Sequence, residues 1–187
     1  EQASVLAVAC ERPVTATISV RKPAWAGPDF AVSVNGERVS QLPGADGFVH
    51  LNRMWKNGDT IAVALPMTLR WEAFRDNPGR AAVLYGPVLL VATTDEACRL
   101  ATVRAPAAQA LAALRPADRP LHFDADPAIF RRDVTAKPVR FQPLYQTVSE
   151  FCSVYWDEQT DAERTAALRV CEAEAARWKE LAPRTVD

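Results

Sequence analysis

The chain has 187 residues, with 22 Lys and Arg against 23 Asp and Glu and a formal net charge of −1. This balance provides no basic footprint for nucleic acid and no polybasic surface for lipid. No apolar run is long enough to span a bilayer, and no signal segment opens the chain. We therefore expect a β domain with a small appendage that binds neither nucleic acid nor membrane.

The first part of the sequence indicates a series of short strands. Apolar and polar side chains alternate, as in half-buried strands, in four runs: residues 14–20, 30–34, 48–51 and 61–65. Asn35-Gly36 follows the second run and favours a tight hairpin, with residues 38–40 returning. Asn57-Gly58-Asp59 indicates another turn. Strands at this spacing predict a mostly β fold, an antiparallel sandwich resembling a jelly roll.

The segment 81–92 is apolar almost throughout. Such a run predicts one central strand covered on both faces, with Gly86-Pro87 as a bend or bulge. Residues 96–137 are rich in proline and predict an irregular excursion with a short helix at 107–114. Strand character returns at 139–141 and 153–156. The predicted sandwich domain covers residues 1–158.

A terminal helix is predicted over residues 160–182. Thr160 and Glu163 have the spacing of a capping box at its start. An apolar stripe then follows at steps of three and four residues: Leu168, Cys171, Ala175 and Trp178. This stripe predicts that the helix docks on the sandwich or on a neighbouring domain.

Candidate catalytic and metal-binding residues are scattered. His50 lies inside a strand, where a half-exposed surface residue is more common than a catalytic base, and His122 follows a proline-rich loop. No nucleophile-elbow, zinc-protease or Walker motif occurs. The four cysteines are open to three interpretations, a disulfide, metal ligands or free buried thiols, and free thiols are favoured: Cys10, Cys98, Cys152 and Cys171. Asp124-x-Asp126 suits either a calcium ligand pair or an Asp-rich turn, and the turn is favoured.

Five tryptophans are the clearest candidates for ligand contact. Trp25, Trp55 and Trp71 are candidate sugar or interface contacts, because flat rings on a β scaffold can stack on sugar rings. Packing in the core or at a domain interface is the competing interpretation, and it is favoured for any single ring.

Several segments together resemble one family. In chain order they are ISVRKPAWA (18–26), VSVNGE (32–37), GFVHLNRMWKNGD (47–59), ALPMT (64–68) and AVLYGPVLLVA (82–92). They resemble the region that follows the catalytic barrel in glycoside hydrolase family 127, the β-L-arabinofuranosidase family. The stretch 141–156 is similar to that family's C-terminal motif, which ends in a Tyr-Trp pair. Phe151-Cys152 departs from it, since relatives carry a basic residue and then Tyr.

The resemblance implies that the chemistry belongs to an α/α barrel absent from this chain. The family mechanism is retaining hydrolysis by a Cys nucleophile at a zinc site, built from a Glu-x-Cys pair and a Cys-Cys pair. Glu96-Ala97-Cys98 and Glu150-Phe151-Cys152 match the first pair by spelling, but no Cys-Cys pair occurs. Four ligands must converge on a zinc ion. We therefore expect no catalytic residue and no cofactor in this chain, with zinc confined to the parent's barrel.

Two functions from different classes remain. The first is a non-catalytic accessory sandwich of a larger glycoside hydrolase, which supports the catalytic barrel and contributes to a homodimer. The alternative is a carbohydrate-binding module that holds a plant-type oligosaccharide on exposed Trp residues. A complete structural protein of shared ancestry is a third reading. The Ala- and Arg-rich composition indicates a bacterial source, and leaves cytoplasm and periplasm equally open.

Overall fold

The computed structural model describes residues 2–94, 100–132 and 139–181. Strands dominate it and a long helix closes it, so the predicted mostly β class is confirmed. The chain divides into two compact units, residues 1–68 and residues 69–187. These bounds differ from the sandwich predicted over residues 1–158 and the helix over 160–182, and that domain division stays a prediction.

The first unit is a small two-layer sandwich. Its antiparallel strands form one sheet in the order β1-β6-β3-β4 and a second sheet of β2 and β5. Alternate residues of both sheets, such as Val32, Val49 and Ile61, meet in one buried core, which explains the period-two pattern. The strands are β1 (Ala3–Ala7), β2 (Val14–Arg21), β3 (Ala31–Val34), β4 (Glu37–Arg38), β5 (Phe48–Trp55) and β6 (Thr60–Ala64).

The predicted hairpin at Asn35-Gly36 is confirmed. Both residues have positive φ, 52° and 84°, as the two central positions of a type I′ turn require. Val34 and Glu37 pair directly across it. An asparagine tolerates this left-handed backbone and a glycine adopts it freely. The local dipeptide therefore sets the register of β3 against β4.

The second unit contains a ten-stranded sheet in the order β11-β12-β14-β9-β8-β16-β10-β13, with β7 also on β8 and β15 also on β9. Its strands are β7 (Leu69–Ala73), β8 (Arg80–Tyr85), β9 (Val88–Thr94), β10 (Ala101–Val103), β11 (Arg115–Pro116), β12 (Phe123–Ala125), β13 (Phe130–Arg132), β14 (Val139–Pro143), β15 (Phe151–Ser153) and β16 (Tyr155–Glu158). The helices are α1 (Ala107–Ala112), α2 (Asp161–Leu181) and a 3₁₀ turn at Leu144–Gln146.

The apolar run 81–92 is two strands, not the single central strand predicted. Gly86 has φ of 56°, and Tyr85 pairs with Val88 across a two-residue turn. Glycine at positive φ followed by proline starts a tight hairpin more readily than a bulge. Beyond the turn β8 and β9 diverge. The segment that contains β15 and β16 lies between the diverging strands, where β15 pairs with β9 and β16 pairs with β8.

Residues 96–137 were predicted as an irregular excursion, but their described part, residues 100–132, contributes four strands to the sheet. Each has only two or three residues: β10, β11, β12 and β13. So few residues leave no alternating pattern for a sequence reading to detect. The predicted short helix there is confirmed as α1.

Three aromatic rings occupy the core of the second unit. Phe130, Phe141 and Trp156 are fully buried, and their ring centroids lie 5.1 to 5.4 Å apart. The strands that carry Phe130 and Phe141 lie far apart in the sheet order. The sheet must therefore curl until its inner faces meet, which builds a second enclosed core.

The terminal helix begins where the sequence predicts. Thr160 Oγ1 accepts a hydrogen bond from the Glu163 amide at 3.3 Å, and the Glu163 carboxylate accepts one from the Thr160 amide at 2.8 Å. This reciprocal pair is a capping box. Asp161 then pairs with Arg104 at 2.9 Å and Arg131 at 2.5 Å, which ties the first turn to the sheet.

The apolar stripe of α2 is only partly covered within the chain. Leu168, Cys171 and Ala175 are half-buried, whereas Trp178 at the end of the stripe is 69% exposed.

No helix in the described part of the chain has the length and apolar character needed to cross a lipid bilayer.

Candidate functional site

The Glu-x-Cys spellings do not form a metal centre in the described residues. Glu96-Ala97-Cys98 lies outside them. The Glu150 carboxylate accepts the amides of Val148 at 3.2 Å and Ser149 at 3.3 Å. Its own amide, followed by the amides of Ser149 and Val148, lowers the pKa of Glu150. Within residues 2–94, 100–132 and 139–181, no three His, Cys, Asp or Glu side chains group to hold a metal. The described residues therefore do not fit the zinc site that the resemblance implies.

The thiols that the structure describes are isolated. Cys10, Cys152 and Cys171 are free and half-buried. Cys152 lies on β15 opposite Thr93, and Cys171 lies on the stripe of α2. Cys98 lies outside the described residues. The three described cysteines are free, as predicted, but they are half-buried where the sequence interpretation had them mostly buried.

Asp124 and Asp126 have structural partners. Asp124 Oδ1 accepts from Arg140 Nε at 2.7 Å, and Asp126 Oδ1 accepts the Ala128 amide at 2.8 Å. The second bond is the Asx turn that the sequence favours. Both residues line a wide, open cavity of about 550 Å³. Because the Asp124 carboxylate already pairs with the guanidinium of Arg140, Asp124 and Asp126 do not present two free carboxylates to a cation.

Ser19, His50 and Asp46 form a hydrogen-bonded row on the outer face of β2 and β5. Ser19 Oγ lies 2.8 Å from His50 Nδ1, and His50 Nε2 lies 2.8 Å from Asp46 Oδ2. The His50 and Asp46 side chains are 43% and 52% exposed. A catalytic triad works in a water-excluded site, and this row lies open to water. The Phe48 amide and then His50 lower the pKa of Asp46. These hydrogen bonds hold the turn that precedes β5, which gives the row a structural role.

His122 has a structural role too. Its side chain is buried, with 6% exposure, and Nδ1 donates to the Pro120 carbonyl oxygen at 2.9 Å. A carbonyl oxygen only accepts, so Nδ1 carries the hydrogen. This bond closes the turn that precedes β12.

The three candidate Trp contacts differ in exposure. Trp55 is 1% exposed and its indole Nε1 donates to the Ala16 carbonyl oxygen at 3.0 Å, so it offers no free face to a sugar. Trp25 and Trp71 are half-buried and pack against the cores of the first and second unit respectively. Contact of these two rings with a sugar or another domain stays a prediction.

The most specific segment of the predicted resemblance, residues 53–59, builds a turn. Asp59 Oδ2 accepts the Lys56 amide at 2.8 Å, and Asp59 Oδ1 accepts Asn35 Nδ2 at 2.9 Å. Asn35 Oδ1 in turn accepts the Thr60 amide at 2.8 Å. Gly58 has φ of 87°, a backbone conformation in which a residue with a side chain would be strained. The motif therefore joins two hairpin turns and holds Trp55 in the core.

An open pocket lies on the outer face of the second unit. Its volume is about 290 Å³, and β7, β8, β9 and β16 line it mainly with Glu72, Phe74, Ala82, Leu84, Leu89 and Tyr155. We call it the aromatic pocket. The Phe74 and Tyr155 rings meet edge to face, with centroids 4.9 Å apart. They remain 40% and 51% exposed, while Ala82 in the wall is small enough to leave the concavity between them.

A polar cavity continues along the same strand. Tyr155 pairs with Ala82 and Asp157 with Arg80, so Tyr155 and Asp157 project from the same face of β16. Arg80 holds Asp157 by two bonds, Nε to Oδ1 at 2.7 Å and Nη2 to Oδ2 at 2.8 Å. The Asp157 carboxylate raises the pKa of Arg80. This cavity, about 300 Å³, is lined by Asn77, Gly79, Arg80, Asp157, Glu158, Gln159 and Glu163.

Sequence reasoning missed Phe74 and Tyr155 because it looked for tryptophan. The available signal was strand alternation. Trp156 is fully buried, so the adjacent Tyr155 must project outward. Likewise Trp71 packs on the core, which directs Glu72 to the outer face.

Comparison with known proteins identifies a family model and solved structures that resemble this chain. Residues 1–67 match the family model of the β-L-arabinofuranosidase GH127 middle domain, and the match ends at the boundary of the first compact unit. No curated protein has a sequence that matches the chain.

Three solved structures share the fold over 84% of this chain. A GH127 β-L-arabinofuranosidase from Geobacillus stearothermophilus T6 has a TM-score of 0.54 at 21% identity. A protein described as a glycoside hydrolase has 0.58 at 17%, and the GH127 β-arabinofuranosidase BT3674 has 0.58 at 21%. The chain spans 29% to 30% of the length of these proteins. The predicted resemblance to a β-rich part of the GH127 proteins is confirmed.

Proposed function

We propose that this chain, whose first 67 residues match the GH127 middle domain, is the non-catalytic β portion of a larger glycoside hydrolase resembling the β-L-arabinofuranosidases. The observation that carries this proposal is the agreement between the family match and a folded unit. The match covers residues 1–67, which is all but the last residue of the two-layer sandwich of residues 1–68.

The motifs that carry the family resemblance support a mechanical role. Lys56, Gly58 and Asp59 build a turn, and Gly86 builds the hairpin between β8 and β9. Each residue acts on backbone geometry rather than on a reacting group. The partner of this scaffold would be the catalytic α/α barrel of the parent protein, and a second copy of the parent would complete a homodimer.

Any zinc and nucleophilic cysteine of the parent enzyme would belong to that barrel. A zinc site requires four converging ligands. The described residues provide Cys152 and Glu150 on one short segment, and two backbone amides already donate hydrogen bonds to the Glu150 carboxylate. No catalytic step is therefore assigned to this chain.

The purified chain and the full reading frame that encodes it test the proposal together. With an aryl β-L-arabinofuranoside as substrate, we expect turnover by the full-length protein and none by the chain alone. Cys152→Ala and His50→Ala in the full-length protein should leave kcat unchanged, since neither residue contacts the substrate in this proposal. Turnover by the chain itself, lost in either variant, would contradict it.

A further inference from the structure

We propose that the aromatic pocket and its polar continuation bind a neutral sugar, with one ring held against Phe74 and Tyr155. This inference goes beyond the supporting role proposed above and does not depend on it. It rests on the shape of the pocket, on its two exposed aromatic rings and on the charges around it.

The apolar part of the pocket suits one face of a sugar ring. Phe74 and Tyr155 expose much of their surface, although aromatic rings are usually buried for their large apolar area. Leu84 and Leu89 are half-buried beside them. The volume of about 290 Å³ lies near the lower bound of small-ligand pockets. The C–H face of a sugar can therefore replace water on both rings.

The polar groups suit the hydroxyls of the same ligand. Glu72 lines the aromatic pocket, and its carboxylate pairs with Arg70. Asp157 lies two residues along β16 from Tyr155, about 7 Å away on the same face. A ligand that extends beyond one sugar ring could therefore reach Asp157. Carboxylates and guanidinium groups that remain partly exposed can accept and donate further hydrogen bonds.

The charges around the pocket argue against an anionic ligand. Glu72 pairs with Arg70 and Asp157 with Arg80, and Glu158 and Glu163 add two more carboxylates to the lining of the polar cavity. The net charge of the lining is therefore negative, and an anion would be repelled. A wholly apolar ligand would remove water from these charged groups without replacing its hydrogen bonds. A ligand that is apolar on one face and hydroxylated at its rim satisfies both requirements.

Titration calorimetry and saturation-transfer NMR on the 187-residue chain test this inference. The probes are methyl β-L-arabinofuranoside, arabinan oligosaccharides and xylan oligosaccharides. We expect saturable binding of at least one oligosaccharide with Kd of roughly a millimolar or below. Phe74→Ala and Tyr155→Ala should each weaken it about fivefold to tenfold. Asp157→Asn should weaken the oligosaccharide more than the methyl glycoside, because only the longer ligand reaches the polar cavity.

Tyr145→Ala is the matched control, because Tyr145 is a 68% exposed aromatic residue of the same unit that does not line the pocket. It should leave Kd within twofold of the wild type. The circular-dichroism melting curve of each variant establishes that it is folded. Absence of saturable binding for every probe, or equal weakening by Tyr145→Ala, overturns the inference. If the wild type binds no sugar and Phe74→Ala changes its oligomeric state, the pocket is a protein interface and the inference is wrong.

Discussion

Tyr155 and Trp156 are neighbours in the sequence, but their side chains lie on opposite faces of β16. Trp156 is fully buried among Phe130 and Phe141, whereas Tyr155 contacts Phe74 on the outer face. The pleat of a strand separates adjacent side chains in this way. Two adjacent aromatic residues therefore supply both a core ring and a wall of the aromatic pocket.

Asp59 should couple the stability of the first unit to pH. The Lys56 amide and then Asn35 lower the pKa of Asp59 below its ordinary value of 3.8. A carboxyl with a lowered folded-state pKa contributes stability that is full above pH 3.8 and is lost as the pH falls through the lower, folded-state value. We expect Asp59→Asn to be less stable than the wild type at pH 7 and equal to it in strong acid.

Urea unfolding of both proteins at a series of pH values measures this effect. Asp29→Asn replaces an exposed carboxylate of the same unit and should preserve the wild-type pH profile. A pH-independent difference between wild type and Asp59→Asn would count against the assignment.

At the scale of elements, tight turns place the strands that carry the aromatic pocket. Gly86 turns β8 back into β9, and the divergence of these strands admits β15 and β16. Tyr155 reaches the pocket only because β16 pairs with β8 at Ala82. The pocket is thus a product of strand order rather than of any one segment.

Two glycines provide a matched test of turn geometry. Gly58 has φ of 87° and open space around an added Cβ, so Gly58→Ala should cost only backbone strain, about 1 to 2 kcal/mol. Gly79 does not adopt such a φ, and the nearest atom to its added Cβ lies at 3.6 Å. Gly79→Ala should therefore be neutral or stabilising by about 0.5 kcal/mol. Thermal unfolding gives both values, and an equal loss in the two variants would refute the argument.

At the scale of the molecule, each unit has its own core. The core of the first unit centres on Val49, Trp55 and Ile61, and that of the second on Phe130, Phe141 and Trp156. Every core residue of a cluster belongs to a single unit. Folding in isolation requires such a self-contained core.

We therefore expect a fragment of residues 1–68 to fold alone with modest stability, since domains of this size bury a smaller fraction of their surface. A dispersed two-dimensional NMR spectrum and a cooperative melting transition would establish this. Trp55→Ala should abolish both, because it removes the largest buried side chain of that core. A collapsed spectrum for the wild-type fragment would show that the unit depends on the rest of the chain.

The sequence by itself determined the local features. Alternation predicted four strands of the first unit, β2, β3, β5 and β6, but not β1. Asn35-Gly36 predicted its hairpin, and Thr160 with Glu163 predicted the start of α2. Each depends on residues that are near in the chain, where backbone preference and side-chain spacing act directly. The resemblance to the GH127 proteins likewise rests on short ordered motifs.

Only the tertiary structure decided how the strands meet. The short strands β10 to β13 exist because the sheet offers them partners, and their own residues show no pattern. The aromatic pocket joins Phe74 and Tyr155, which lie far apart in the chain and meet through pairing with β8. Sheet pairing is non-local, so the residues that form a surface across several strands become neighbours only when the whole sheet has formed.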